Sequence, residues 1–377
     1  MAKSEKMVSV NSERLKFARE HYGLSLDEVA DKLNIKRELL EKFEATKRND
    51  SDFPSYAQLE KLSELYDRPL LFFFFSTTPP NDELAVAFRS IEKNIGGKLS
   101  IQIRKMIEKA NLYRLNLSEL YTQQNVPIFE ELLSADSVTN ANLASWLRKK
   151  LNLSLEKQKG FARADSFLEY LREQLYNIGI YVFKDSFRED SVSGLCLYDN
   201  KYPVILLNNK TTFNRQVFTI FHEIYHLFNK EMDVYMDKRG EEKACDKFAG
   251  EFLIPKNNFD AKLKNVSRYE DMGLIERLAD DYTVSAVAIA YRLLSEGHIS
   301  IDFYLNIQED RIRRMNNDTA GGNFYFTRIS YLGKPYLKHV FNDYYAGRIS
   351  AVTVGKYTGL KTVHVSRLSS NMLGGEF

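Results

Sequence analysis

Cysteine, tryptophan and long apolar runs are scarce in this chain, and each scarcity excludes something. The 377 residues include two cysteines. Cys196 and Cys245 lie far apart in sequence, outside any Cys-x-x-Cys spacing, which argues against a disulfide framework and for a reducing compartment. The longest apolar run, LLFFFF at Leu70–Phe75, falls far short of the roughly 20 residues that span a bilayer. It reads as a buried segment or a domain junction. The opening MAKSEKMVSV has no apolar core behind its lysines and makes a poor signal peptide. These features predict a cytoplasmic protein with no membrane partner. Net charge is small as well, 53 Lys and Arg against 51 Asp and Glu, or +2. No overall pull toward nucleic acid follows, so every charge argument has to be local.

What is present is ordinary for a globular protein: 44% hydrophobic and 28% charged residues. The length exceeds what one core supports and predicts two or three domains. The pattern reads as α+β, mostly helical. The first segment, 1–76, reads as a five-helix-type helix-turn-helix domain. Ser25 with Glu28 and Ser55 with Gln58 are capping boxes. Between them Leu26, Val29, Ala30 and Leu33 form one helical stripe, and Ile35, Leu39, Leu40 and Phe43 the next. Asn34 stands where the turn needs a residue tolerating positive φ. TTPPN at Thr77–Asn81 opens a linker and helical connector assigned to 77–137. In 138–300, a helix at Phe167–Tyr176 leads to three strand-like runs, Ile180–Phe183, Gly194–Tyr198 and Pro203–Leu207. The last run reads as an edge strand able to pair with an extended substrate. In the helical remainder, 301–377, Ile349–Leu368 lays over Leu24–Phe43 without a gap. Gly355 falls on Ala30 and Gly359 on Asn34, which suggests a second helix-turn-helix at the other end.

The chemistry concentrates in FTIFHEIYHLFN, Phe218–Asn229. On a helix His222 and His226 project from one face, while apolar residues cover the other directions. Two imidazoles and a carboxylate buried without partners would each cost several kcal/mol. A divalent cation removes that cost if both rings ligate it and Glu223 faces an open position. The bland alternative is a pair of core histidines satisfied by backbone carbonyls. Catalytic zinc takes three protein ligands and water, and EEKACDKFAGEFLIP, Glu241–Pro255, offers the third. Cys245, Phe248, Ala249, Phe252 and Leu253 share one apolar face, with Glu242 and Asp246 at its edge. Glu242 is expected as the third ligand and Asp246 as the acceptor for one histidine's free N–H. Glu241 is the competing ligand, and an exposed acidic first turn favoured by the helix dipole is the competing account. Tyr225, Tyr235 and Tyr282 are candidates for stabilising an oxyanion. Arg215 reads as a structural ion-pair partner in preference to a contact for a substrate carboxylate.

At RQVFTIFHEIYHLF and EKACDKFAGEFLIP the chain resembles the ImmA/IrrE family of zinc metallopeptidases, with a His-Glu-x-x-His helix followed by a Glu-bearing helix that closes on Leu-x-Pro. The likeness covers about residues 140–264, the strands included. The first seventy residues separately resemble the Xre/Cro-type helix-turn-helix. The family usually has glycine where Tyr225 stands, a departure that narrows the space beside the second histidine. The resemblance implies a zincin-like domain binding one Zn2+ through His222, His226 and Glu242 in gluzincin fashion, with Glu223 as general base. It also implies hydrolysis of one peptide bond in a protein partner, commonly a transcriptional repressor, under stress or induction. The alternative reading is a DNA-binding regulator or antitoxin-like protein that keeps the peptidase fold as an inert or metal-structured scaffold.

DNA contact in the first unit would fall to Lys36, Arg37 and Lys42 at the recognition helix. Residues 1–70 hold 13 basic and 14 acidic side chains, net −1, and residues 301–377 hold 10 and 6, net +4. Phosphate contacts supply most non-specific affinity, so charge favours a docking role for the first unit, toward a repressor of its own type or a second copy in a homodimer.

Overall fold

The computed structural model describes residues 9–45, 52–77, 88, 98–122, 126–189, 192–230, 233–234, 241–315 and 323–374; the side chains at 233–234, 241–242, 310–315 and 373–374 are not among those described. The chain divides into two compact units, Met1–Arg104 and Lys105–Phe377.

In the first unit four α-helices, Ser12–His21, Leu26–Leu33, Arg37–Ala45 and Tyr56–Leu65, precede a 3-10 turn at Leu70–Phe74. Both capping boxes form, and Asn34 ends its helix at φ 55°. Val29, Leu33, Leu40, Phe43, Leu59 and Leu62 from these helices make the core. The LLFFFF run departs from its reading as a buried segment. With three residues per turn a 3-10 helix aims only every third side chain inward; Phe73 is fully buried while Leu71 and Phe74 are exposed. Arg14 lies over the rings of Phe72 and Phe75.

The second unit is built on a small sheet of order β1-β3-β2-β4. β1 (Tyr181–Asp185) runs parallel to β3 (Val204–Asn208), and β2 (Gly194–Leu197) pairs antiparallel with β3 and with the two-residue β4 (Asp233–Val234). Every residue of β1, β2 and β3 is buried. That overturns the edge-strand expectation for Pro203–Leu207: β3 spends both its edges, on β1 and on β2, and offers none to a substrate. The helices Ala164–Asn177 and Phe213–Phe228 pack on this sheet through one core, which includes Leu168, Leu171, Ile205, Val217, Ile220 and Ile224.

Two further helix pairs turn as Leu26–Ala45 does. Ala351–Thr358 and Val365–Gly374 are joined through Gly359 at φ 65°, with Ser350 as N-cap. A Cβ on Gly355 would meet the Leu360 carbonyl at 2.8 Å, so the crossing closes more tightly than the alanine-sized one at Ala30. The other pair, Met272–Tyr282 and Ala286–Ser295, falls where the sequence reads as further helical segments to about Glu296, but its helix-turn-helix-like turn is not read there. Its turn residue is Thr283 at φ 52°, where a β-branched side chain is strained. The Thr283 hydroxyl donates to the Gln158 carbonyl at 2.6 Å and so helps hold that conformation.

The helix Phe324–Leu332 is tied to the sheet by buried cations. Arg172 donates to the carbonyls of Val182 and Ser330, and Lys184 Nζ lies 3.0 Å from Glu169 Oε1. Burial, aided by Arg172, lowers the Lys184 ammonium to about 8, against the pull of Glu169. A folded pKa below the unfolded value of 10.5 means the unfolded chain holds the proton longer. Stability therefore rises with pH from about 8 toward 10.5. Denaturant melts of the wild type and Lys184→Met across that window should show a wild-type gain that the variant lacks.

Candidate metal centre

The histidine helix, Phe213–Phe228, starts at Thr212, whose hydroxyl caps the Arg215 amide. It is apolar nearly all round, and its length places His222 and His226 one above the other on the face turned to the helix Glu241–Leu253. Those two helices are locked by Phe221 stacked on Phe252, with ring centroids 3.7 Å apart, and by Tyr225 against Phe248. Cys245, Phe248, Ala249, Phe252 and Leu253 are buried, as the spacing predicts.

At this crossing the Nε2 atoms of His222 and His226 lie 3.3 Å apart. His222 Nδ1 lies 2.9 Å from Asp246 Oδ1. With Nδ1–H donating a hydrogen bond to that carboxylate, the His222 Nε2 lone pair is left for the shared point. Cys245 Sγ stands 3.3 Å from His226 Nε2. The donor atoms of His222, His226 and Cys245 all fall within 4.8 Å of one another, and all three residues are buried. Two imidazoles and a thiol at that mutual spacing form a donor set that suits zinc. Glu223 is fully buried beside them.

On its sheet side the centre is closely walled by Ser193, Arg215, Phe218, Thr219, His222 and Glu223. β2 passes so near the histidine helix that a Cβ on Gly194 would lie 2.5 Å from Thr219 Cγ2 and 3.5 Å from Glu223 Oε1. Only glycine fits there. Arg215 belongs to this wall, donating to Ser193 Oγ at 3.1 Å with its guanidinium over Phe218.

Residues 177–294 match the IrrE N-terminal-like domain, and residues 12–70 match a helix-turn-helix domain. The chain thus holds a segment similar to an IrrE-type peptidase domain, which follows a helix-turn-helix domain in sequence. No curated protein matches it. The pairing of the two domains suggests a regulator of the ImmA/IrrE type.

The IrrE-like domain brings together His222, His226, Glu223 and Asp246. Glu242 begins the same helix as Asp246 and Cys245, but its side chain lies outside those described, as does Glu241's. Tyr235 also lies outside the described residues. Tyr282 drops out as an oxyanion partner, because its hydroxyl donates to Asn258 Oδ1 at 2.7 Å and its ring packs on Phe259. Tyr225 is half-buried against Phe248. Cys245 is the functional candidate that sequence reasoning passed over; its signal was its place on the very face that meets the histidines.

The end of the Glu241–Leu253 helix is held by a buried amide. Gln158 Nε2 donates to the carbonyls of Leu253 and Tyr282 at 2.9 and 2.5 Å, and its oxygen accepts from Arg148 Nη1 at 2.8 Å. Gln158→Leu strands the carbonyls of Leu253 and Tyr282, while Arg148 Nη1 keeps its bond to the Phe252 carbonyl at 2.8 Å. It should cost roughly 2–4 kcal/mol in urea melts and loosen the helix that carries Cys245 and Asp246.

In the helix-turn-helix domain the expected DNA contacts are exposed, and two of the three face carboxylates. Arg37 bridges Glu41 at 3.0 Å and Asp27 at 3.2 Å, and Lys42 lies 3.7 Å from Asp52. Lys36 stands exposed just before the recognition helix, which begins at Arg37. Among the described residues no helix is long and apolar enough to cross a membrane.

Proposed function

We propose that the chain is a regulatory zinc metalloendopeptidase that cuts a protein partner of the repressor class. The observation that carries this reading is the convergence of two histidine Nε2 atoms at 3.3 Å beside a fully buried Glu223, with Asp246 orienting one ring. His222 and His226 hold the ion, with the third position expected from the helix of Glu241–Leu253. A zinc ion bound there supplies Lewis acidity toward a carbonyl and acidifies water. Glu223 then takes a proton from the attacking water and returns it to the departing amine. The chain to be cut would approach along the side of the centre walled by Ser193 and Arg215, where Arg215 offers a cation. The helix-turn-helix domain brings the partner to the site, by pairing with a like domain or at a shared operator.

The test is incubation of the purified chain with the repressor encoded beside it, followed by mapping of new termini. A single new terminus that vanishes with a chelator and returns with Zn2+ is expected. An intact repressor in the zinc-loaded reaction, under reducing and inducing conditions alike, would sink the reading.

A further inference from the structure

We propose that the chain contacts duplex DNA through its last helix pair, Ala351–Thr358 and Val365–Gly374, with the second of these helices in the major groove. DNA contact there is independent of the metal centre.

Three helix pairs in this chain share one kind of turn, so the fold alone does not choose among them. Charge on the second helix does, because a helix entering the groove passes between two rows of phosphates. In the first pair the second helix, Arg37–Ala45, exposes Glu38 and Glu41, and Glu41 bridges Arg37 at 3.0 Å. In the pair Met272–Tyr282 and Ala286–Ser295 the second helix has one cation, Arg292, held by Glu296 at 2.7 Å, and it exposes the ring of Tyr291. The last pair differs. From Tyr344 to Gly375 the sequence has no Asp or Glu, and it carries Arg348, Lys356, Lys361 and Arg367.

Burial fixes which side of the last helix is presented. Val365, Leu368 and Ser369 are buried, and the Ser369 hydroxyl meets that of Tyr345 at 2.8 Å. Lys361, Thr362, Val363, Ser366, Arg367 and Ser370 are exposed, a strip running from the turn along one side of the helix. These types suit a groove: hydroxyls bond base edges or phosphates, Lys and Arg bond phosphates or guanine, and a valine methyl packs on a thymine methyl. Val363 is 76% exposed, a cost in water that such a contact removes. The head of the helix is held by aromatic groups and not by acids. Arg367 lies over the Tyr325 ring at 5.3 Å, and His364 Nδ1 lies 2.9 Å from the Tyr325 hydroxyl. Arg328 donates to the Thr358 carbonyl and so braces the turn. The other two cations do face carboxylates, Arg348 at 2.9 Å from Asp343 and Lys356 at 2.8 Å from Glu119, which leaves Lys361 and Arg367 as the main phosphate contacts.

The test is fluorescence anisotropy of the full chain with labelled duplexes of the DNA upstream of its coding sequence, titrated with salt. The wild type should bind, with log affinity falling against log salt at a slope of about −2 to −4 for about two to four phosphate contacts. Lys361→Ala with Arg367→Ala should keep the wild-type melting profile, weaken binding roughly tenfold or more and flatten the slope by about 2. Ser366→Glu, which sets a carboxylate on the exposed strip, should abolish binding and decides the matter if the double variant melts lower. Lys36→Ala with Arg37→Ala should bind as the wild type does. Wild-type affinity in Ser366→Glu would overturn the proposal. So would binding lost in the Lys36 and Arg37 variant alone, which would assign the DNA to the first unit. Absence of duplex binding by the wild type at low salt would overturn it too, and would leave the last pair as a protein-docking element. Zinc-dependent cleavage stands or falls separately from all of these.

Discussion

Glu223→Gln should leave the chain folded and metal-loaded yet slow partner cleavage by about 100- to 10,000-fold, the contribution of a positioned general base. The substitution is nearly isosteric, and the site it enters is fully buried, so packing against Thr219 and Gly194 persists. What the amide lacks is a lone pair basic enough to accept a proton and release it again. The charge lost is one whose burial costs free energy, so the metal-free variant should melt no lower than the metal-free wild type. Single-turnover cleavage, read beside metal content, separates the roles. Cleavage lost with zinc retained makes Glu223 the base. Loss of both would make it a ligand, and undiminished cleavage would remove it from the chemistry.

The histidine helix was legible because its signal is local. A 3.6-residue period places His222 and His226 on one face, and the same period places Cys245, Phe248 and Phe252 toward them. The capping boxes at Ser25 and Ser55 were legible for the same reason. Strand order was not. That β3 is interior follows from its pairing with β1, more than twenty positions earlier in the register, and no local pattern reports such a partner. Thr283 hid a turn because a β-branched residue argues against positive φ; its hydrogen bond to Gln158 comes from far along the chain. Cys245 read as one more small apolar residue, since a buried thiol behaves as a small hydrophobe until a nitrogen stands within reach. The LLFFFF run misled in the opposite sense, because composition implied burial and the 3-10 geometry leaves Leu71, Phe74 and Phe75 exposed.

Replacing His226 with alanine should abolish stoichiometric zinc binding, whereas Asp246→Ala should weaken it only about 10- to 100-fold, the usual cost of losing a partner that orients a ligand. The two residues differ in what they touch. His226 Nε2 lies 3.3 Å from His222 Nε2, and its loss removes one of the two imidazoles on which the site is built. Asp246 lies 2.9 Å from Nδ1 of His222, on the ring edge away from the shared point, and its side chain is 35% exposed, so water replaces it in part. Its loss frees the ring to take the other tautomer or to rotate, and affinity falls without the donor set changing. Zinc titration against a chromophoric chelator, with a melting curve for each variant, measures both. The order matters more than either value: equal losses would mean that Asp246 is a ligand in its own right, and a wild type that binds no zinc would mean that the imidazoles act as core residues.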